Sequence, residues 1–210
     1  DTVPLSKSFS KRYGVIKKVY HQQRMFFEGK KVKHIIVSID KDYIRPIVRG
    51  KETKAVEFGA KVNTIQVDGI NFIEHLSFEA FNEGIRLPEC INKQQQLFHH
   101  RVKQVGADCI YATNKNRKFC SSRQIATSFV RKGRVGKDEE QRKQMRSILS
   151  KARATRMEGS FGTEKEFYTL RKVKARTKKT EILWIFFGIH TANAIRMIPK
   201  IARKWIRNTA

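Results

Sequence analysis

The chain has 210 residues, of which 40% are hydrophobic, and its 45 Lys and Arg against 19 Asp and Glu give a formal net charge of +26. This length and apolar content suit one domain of ordinary size and exclude a disordered chain. The charge indicates a polyanionic partner, and its spread along the whole chain favours nucleic acid over a membrane surface. We therefore expect a nucleic-acid partner and no membrane association.

The three cysteines, Cys90, Cys109 and Cys120, have no CxxC spacing, which argues against a disulfide framework and a zinc site. A reducing cytoplasm fits this set. The sequence opens on Asp1 with no signal-peptide pattern after it, and we interpret the chain as a fragment of a longer protein. The apolar run 182–189 is too short to span a bilayer and predicts a buried core helix.

Helix and strand signals alternate through the first half of the chain. Mixed helical spacing predicts a helix over residues 5–28, and a β-branched run predicts a strand over 34–39. Residues 55–78 predict a hairpin that turns at Asp68-Gly69, because Asp-Gly between apolar runs favours a tight turn. We therefore assign Asp68 to the turn and not to a metal site. A helix over 88–102 follows.

Asp108 interrupts a short apolar run, residues 105–112, that predicts a strand. An unpaired carboxylate on a strand buried on both faces is costly, so we expect it at the carboxyl end of the strand or beside a cation. Ligands collect at the carboxyl ends of strands in α/β sheets, which makes Asp108 a candidate metal ligand. A satisfied surface carboxylate is the alternative.

A cationic loop, RKGRVG at residues 131–136, follows a predicted basic helix over 114–124 and a predicted strand over 125–130. It leaves a buried strand and contains two glycines, a pattern that suits phosphate better than an ordinary solvated face does. We expect DNA contact here. The cationic side chains are Arg131, Lys132 and Arg134.

Glu158 lies in residues 155–170, a segment crowded with cations that follows a long predicted helix over 137–154. If the segment is helical, steps of about 100° per residue place Glu158 beside an apolar stripe. A half-desolvated carboxylate there can bind a hard divalent cation, and Lys165 can take a phosphate held by that metal. The alternative is an ordinary solvated helix edge.

Five sequence motifs carry a family resemblance. In chain order they read RPIVRGKETKAVEFGAKV, YATNKNRKFCSSRQI after a strand Asp, TSFVRKGR, EGSFGTEKEFYTL and FFGIHTANA. Together they resemble the carboxyl-terminal half of bacterial insertion-sequence transposases of the DDE type. The resemblance runs from about His21 to about Met197, and the motifs are specific as a set.

The resemblance implies an α/β fold of the ribonuclease-H-like kind, a mixed sheet flanked by helices, and DNA transposition by phosphoryl transfer. Asp108 matches the family's second catalytic Asp and Glu158 its final Glu, so both are expected to bind metal. The implied cofactor is Mg²⁺ or Mn²⁺, as two ions about 4 Å apart. The implied partner is double-stranded DNA, at transposon ends and target. Lys165 matches a family Lys that contacts transposon-end DNA.

One departure from the family pattern lies just before Glu158. The family often has Tyr and Arg seven and four residues ahead of this Glu, where the chain has Lys151 and Ala154. Arg153 and Arg156 are then the candidates for contact with the DNA end.

A second departure concerns the family's first catalytic Asp, which no residue of this chain matches. Asp40 and Asp42 follow the run 34–39, whereas the family pattern places that Asp further upstream. We therefore expect it outside these 210 residues, which makes the chain a truncated enzyme, inactive on its own and lacking the first strand region of its fold.

The expected organisation is a helical segment over 1–30, the catalytic domain over 31–198 and a basic tail helix over 199–210. Transposases of this kind act as multimers on paired DNA ends, so a homo-oligomer is expected, located in the cytoplasm and on the nucleoid when DNA is bound. One alternative is a non-catalytic DNA-binding module or decayed remnant. A structural RNA-binding protein is disfavoured because no stacking pattern of aromatic residues accompanies the charge.

Overall fold

The computed structural model describes residues 6–48 and 56–209, with side chains described as far as residue 206. The helices and strands form a mixed α/β protein, which confirms the α/β part of the predicted fold class, whereas the ribonuclease-H-like arrangement stays a prediction. The helices are α1 (Lys7–Phe27), α2 (Leu87–Phe98), α3 (Asn114–Ser122), α4 (Glu139–Ala152), α5 (Gly159–Phe167) and α6 (Lys178–Thr209). The strands are β1 (Ile47–Val48), β2 (Val56–Glu57), β3 (Lys61–Val67), β4 (Ile70–Ser77), β5 (Gln104–Val105) and β6 (Ala126–Thr127).

The chain divides into two compact units, each assembled from several segments. The first unit falls within Asp1–Val62, Leu76–Phe81 and Ala175–Thr180, and the second within Asn63–His75, Asn82–Lys174 and Glu181–Ala210. These units do not test the division into 1–30, 31–198 and 199–210, which stays a prediction.

In the first unit, α1 confirms the first predicted helix. The Ser6 side chain caps its start by accepting a hydrogen bond from the Phe9 N–H at 3.3 Å, and Gly29 follows its end in the left-handed region at φ 70°. Val15 is its buried apolar contact. The predicted helix start at residue 5 lies outside the described residues.

The strand predicted over 34–39 is wrong. His34 has φ 53°, which breaks the extended conformation there. The Gln22 side chain of α1 then satisfies the local backbone: its amide donates to the His34 carbonyl at 3.2 Å and its carbonyl oxygen accepts from the Ile36 N–H at 3.0 Å. With these groups bonded to a side chain, the segment does not need a partner strand.

The hairpin predicted around Asp68-Gly69 is confirmed as β3 and β4, which pair with each other. Asp68 and Gly69 have φ 50° and 79°, and positive φ at both positions is what a two-residue type I′ turn requires. The predicted start of the hairpin at residue 55 lies outside the described residues. Val56 belongs to β2, which pairs antiparallel with β1.

The core of the second unit lies between α2, α3 and the segments that carry β5 and β6. Its buried members are Leu87, Ile91, Cys120, Ile125 and Phe129. The helix predicted over 114–124 is confirmed as α3, which begins after Thr113 because the Thr113 hydroxyl accepts a hydrogen bond from the Asn116 N–H at 3.2 Å.

The strands predicted over 105–112 and 125–130 are much shorter than expected. Only Gln104–Val105 and Ala126–Thr127 form a parallel ladder. Beyond it, the Ser128 hydroxyl accepts from the Ala107 N–H and donates to the Ala107 carbonyl, both at 3.0 Å. A side chain thus takes over the pairing. Across residues 6–48 and 56–209 the strands form separate two-stranded ladders and not one sheet.

Helices α4 and α5 are joined by a π-helical segment, Arg153–Glu158, so the predicted long helix and the segment after it form one continuous run. The last helix, α6, is also continuous and passes through Pro199. The core helix predicted over 182–189 and the tail helix predicted from residue 199 are therefore parts of one helix.

Helix α6 buries one face and exposes the other. Ile185 and Ile189 are buried, as predicted for a core helix, whereas Leu183 and Phe187 on the same helix are 52% and 61% exposed. Its most apolar 18-residue stretch has mean hydropathy 1.3, so the helix is long and apolar enough to cross a membrane by length and composition alone, a test that the core helix of a soluble protein also passes.

Candidate functional site

Asp108 lies just after β5 and begins a 3₁₀ turn over Cys109–Tyr111, where its Oδ1 accepts a hydrogen bond from the Ile110 N–H at 3.4 Å. The backbone reaches this position by passing close to α4: a Cβ on Gly106 would lie 2.9 Å from the Leu149 carbonyl oxygen. A glycine is therefore required where the chain crosses α4. The close packing brings Asp108 beside the end of that helix.

Arg153 and Glu158 lie on the π-helical segment that follows α4. Its i to i+5 hydrogen-bond pattern widens the helix, and residues five apart then share a face. The guanidinium Nη1 of Arg153 contacts Glu158 Oε1 at 3.2 Å, and its Nη2 contacts Asp108 Oδ2 at 2.9 Å. One cation thus holds both candidate carboxylates, and we call these three residues the carboxylate cluster.

The carboxylate cluster is open to solvent. Its side chains are 46% exposed at Asp108, 59% at Glu158 and 26% at Arg153. Glu158 is therefore not the half-desolvated carboxylate expected from straight helical geometry. Ion pairs this exposed contribute at most about 1 kcal/mol to stability, so little holds the cluster against a competing ligand.

The pKa of the Asp108 carboxyl lies below its ordinary value of 3.8 because the Cys109 thiol hydrogen-bonds to it and the Arg153 charge stabilises the ionised form. Partial burial acts in the opposite direction and is outweighed. Asp108 is consequently an anion throughout the neutral range, the state in which a carboxylate binds a cation.

The predicted DNA-binding residues fall into two groups, of which only one contacts the carboxylate cluster. Arg153 belongs to the cluster itself. Arg131 pairs with Asp138 at 3.3 Å, and the Lys132 ammonium donates to Asn114 Oδ1 at 3.1 Å. Arg131 and Lys132 are exposed, and so are the remaining three residues, Arg134, Arg156 and Lys165. Across the described side chains, no hydrogen bond or ion pair joins those three residues to the cluster.

A second polar cluster, which sequence reasoning missed, is buried in the same unit. We call it the Asn71 network. Asn71 is fully buried, and its N–H and carbonyl form a reciprocal pair with the Asn193 side-chain amide at 2.9 and 2.6 Å. Its own amide donates to Ser160 Oγ at 2.6 Å and to a Glu164 carboxylate oxygen.

The Asn71 network also contains an ion pair. The Arg196 guanidinium lies 3.8 Å from Glu164 Oε1 and hydrogen-bonds to the Ser160 hydroxyl. Burial raises the pKa of the Glu164 carboxyl above its ordinary value of 4.5, against the opposing effects of the Asn71 hydrogen bond and the Arg196 charge. The signal for this network was present in the sequence as polar residues at apolar positions, Asn71 on a strand and Asn193 within an apolar helix.

No group of three or more His, Cys, Asp or Glu side chains that could hold a metal ion occurs among the described residues. The three cysteines are free thiols. Asp40, which lies downstream of the family position of the first catalytic Asp, forms an exposed ion pair with Arg12 at 3.0 Å in the first unit. Asp68 occupies the hairpin turn, as predicted, and the Lys200 ammonium hydrogen-bonds to its carboxylate.

Residues 105–191 match the protein family described as Transposase DDE domain. The matched segment begins at β5 and ends within α6, so it contains the entire carboxylate cluster. Comparisons with curated proteins and with solved structures found no match. The family match confirms the resemblance over residues 105–191. Its extension beyond these residues, an origin in a bacterial insertion sequence and the status of the chain as a fragment stay predictions.

Proposed function

We propose that this chain, which carries a transposase DDE domain in residues 105–191, acts in DNA transposition by metal-dependent strand cleavage and strand transfer at insertion-sequence ends. The net charge of +26 supports a polyanionic partner. A DDE domain implies a ribonuclease-H-like fold, and we propose that the mixed α/β segments of the second unit belong to that class.

The observation that carries this proposal is the convergence of Asp108 and Glu158 on one cation inside the matched segment. The two residues are distant in sequence and arrive on different elements, a strand end and a helix. Carboxylates that converge but remain open to solvent contribute little to stability, so stability does not explain their position. They suit a site that exchanges one cation for another.

The donor chemistry of the cluster fits a divalent metal ion. Carboxylate oxygens are the hard ligands that Mg²⁺ and Mn²⁺ prefer, and we propose that Asp108 and Glu158 would hold such an ion. When bound, a pair of these ions supplies an activated water or 3′-hydroxyl and stabilises the leaving oxygen of the phosphodiester. Asp108 and Glu158 must then be released by Arg153, whose freed guanidinium becomes a donor for DNA phosphate.

The basic residues around the matched segment would position double-stranded DNA. We propose phosphate contacts by the exposed cations of the 131–136 loop and of the helical run that carries Glu158. These residues are Arg131, Lys132, Arg134, Arg156 and Lys165. Contacts of this kind fix the register of a duplex and add affinity without reading its sequence.

We propose in addition that cleavage requires a third carboxylate, the first Asp of the family pattern, which is not assigned to any residue here. The purified chain would bind DNA and metal without nicking a duplex. We also propose that the chain acts in the cytoplasm, as a homo-oligomer on paired DNA ends. Metal-dependent nicking by this chain alone would contradict the requirement for a third carboxylate.

A non-catalytic DNA-binding module is the second candidate, and the Arg153 contacts favour it. With Arg153 paired to both carboxylates, part of their negative charge is balanced without a metal. In that case the affinity for DNA falls with rising salt concentration and does not change when the two carboxylates are substituted.

The two candidates are separated by measuring duplex affinity with and without Mg²⁺ in the wild-type chain and in Asp108→Asn and Glu158→Gln variants. A transposase site predicts that Mg²⁺ tightens DNA binding and that either substitution removes the gain. Equal affinities in all three proteins, with and without Mg²⁺, would establish the DNA-binding module instead.

A further inference from the structure

The first unit contains a cavity of about 490 Å³ whose titratable lining residues are all basic. It lies between α1 and the segment that follows this helix. The basic residues are Lys17, Lys18, His21, His34 and Arg45. Specific ligand sites commonly have volumes of about 300–1,000 Å³, so the cavity is of suitable size for a ligand group.

Hydrogen bonds hold the wall of this cavity in place, so its lysines are not a chance cluster on the surface. Gln22, which lines the cavity, holds the opposite segment through its two hydrogen bonds to the backbone of His34 and Ile36. These contacts span the cavity from α1 to the 34–36 segment. The basic side chains on the two sides are therefore kept at a fixed separation.

Arg45 supplies a charged guanidinium at the cavity. Its Nη1 donates to the Ile44 carbonyl at 3.0 Å, whereas its Nε is buried with no hydrogen-bond partner among the described residues. Buried polar groups are almost always paired. The Nε itself is closed to solvent, so Arg45 contributes the positive charge of its guanidinium to the cavity and not a free donor.

The acidic residues near the cavity do not line it. Helix α1 has no Asp or Glu at all. Asp40 pairs with Arg12 at 3.0 Å, and Glu79 lies 3.4 Å from His34 Nδ1. Lys17 and Lys18 are exposed. Among the described residues no carboxylate pairs with Lys17, Lys18 or Arg45, so the charge of these three lining residues is left for an anion from outside the chain.

We propose that this cavity binds phosphate groups of the DNA backbone and is a second DNA contact, distinct from the carboxylate cluster and the 131–136 loop. The choice of DNA among phosphate ligands rests on the proposed function, since a chain with a DDE domain acts on a duplex. The cavity itself is defined without that domain. It lies wholly in the first unit.

The test compares two double variants of the full chain that lose the same charge from the same helix. Lys17→Gln with Lys18→Gln removes two lining cations, and Lys7→Gln with Lys11→Gln removes two exposed cations outside the cavity. Affinity for duplex DNA is measured by fluorescence anisotropy over a salt series.

For the cavity variant we expect affinity to fall roughly 10- to 60-fold near 0.1 M salt and the salt slope to fall by about 2, because about one counterion is released per phosphate contact. In the variant of Lys7 and Lys11, the salt slope should fall by less than about a third of that amount. Equal losses in the two variants would overturn the proposal, since the effect would then be one of net charge.

A measurement on the wild-type chain guards against a folding defect in the variants. Acetylation of lysines by a water-soluble reagent, with and without duplex DNA, should show protection of Lys17 and Lys18 but not of Lys7 and Lys11. Unprotected Lys17 and Lys18 in the DNA complex would overturn the proposal. Protection by inorganic phosphate alone at millimolar concentration, or by RNA in preference to duplex DNA, would overturn the choice of DNA.

A third double variant, Arg131→Gln with Arg134→Gln, separates this proposal from the proposed function. If it weakens DNA binding while the Lys17 and Lys18 variant does not, the cavity is not a DNA site and the transposase proposal is unaffected. If the wild-type chain binds no duplex at all, both fail.

Discussion

The second unit contains two clusters that each combine a carboxylate, a guanidinium and neighbouring polar groups. One cluster is buried and the other is open to solvent. In the Asn71 network, Asn71 and Glu164 are 0% and 4% exposed and are bonded to groups from the hairpin, α5 and α6. In the carboxylate cluster, two carboxylates open to solvent share one part-buried guanidinium through two ion pairs. Similar chemistry is thus placed once in the interior and once at the surface.

The difference in burial separates structure from function. A buried polar network is costly unless it is satisfied, so its members stabilise one arrangement of the elements that they join. An exposed pair adds little stability and can exchange partners. We therefore attribute the Asn71 network to the fold and propose that the carboxylate cluster serves the chemistry. The predictions below test that division in order of expected effect on stability.

The largest effect is expected from Asn71→Ala. The substitution keeps the backbone pair with Asn193 but removes the side-chain amide that donates to the buried Ser160 hydroxyl and Glu164 carboxylate. Unpaired buried polar groups cost about 1–3 kcal/mol each, so we expect a loss of about 2–4 kcal/mol in the free energy of unfolding. Urea denaturation measures it, with exposed Asn92→Ala as the control. A loss below about 0.5 kcal/mol would mean that the network does not stabilise the fold.

Gly106→Ala tests the approach of the β5 segment to α4. The new Cβ would meet the Leu149 carbonyl oxygen at 2.9 Å, and backbone must shift to relieve it. Overpacking of this kind costs about 1–3 kcal/mol. The control is Gly162→Ala, whose Cβ meets nothing within 4 Å and should raise stability, by up to about 1 kcal/mol for an alanine within a helix. Equal stability changes in the two variants would contradict the close approach.

Glu164→Gln tests the burial of the network through pH. The pKa of Glu164 is raised in the folded state, so the folded protein holds this proton more tightly than the unfolded chain does. The resulting stability is fully present below the unfolded pKa, near 4.5, and is lost as pH rises through the folded pKa. Relative to wild type, the Gln variant should therefore gain stability as pH rises above that value in a urea titration series. A difference that does not change with pH would argue that Glu164 is not desolvated.

The smallest effect on stability is expected from Arg153→Gln. Because its ion pairs are exposed, we expect a change below about 1 kcal/mol in the free energy of unfolding. Its duplex affinity should nevertheless fall and its salt slope decrease by about 1, since a phosphate contact is lost. Denaturation and anisotropy on one preparation check both. A destabilisation of about 3 kcal/mol would place the carboxylate cluster with the structural networks instead.

The sequence predicted well those elements whose signals are local. The turn at Asp68-Gly69 and the capped start of α3 at Thr113 depend on residues adjacent in the chain. The strand over 34–39 was wrong because a side chain from α1, Gln22, took its backbone bonds. No local pattern contains that contact.

The candidate site was predictable in its members but not in its arrangement. Motif resemblance singled out Asp108, Glu158 and Arg153, and the structure brings these three together. Their mutual geometry depends on the π-helical segment, which shifts the register of a regular helix and puts Glu158 in solvent. The Asn71 network forms only where the hairpin, α5 and α6 pack together, which no local pattern specifies. Its one signal in the sequence was the presence of polar residues within apolar runs.

The most direct test of the central claim is a Mn²⁺ titration, followed by electron paramagnetic resonance of the free ion, of the wild-type chain, of the Asp108→Asn and Glu158→Gln double variant, and of Arg153→Gln. The account predicts that wild type binds Mn²⁺, that the double variant does not, and that Arg153→Gln binds more tightly because its carboxylates are no longer held by a guanidinium. Equal Mn²⁺ affinity in all three proteins would contradict the assignment of Asp108 and Glu158 as the metal site.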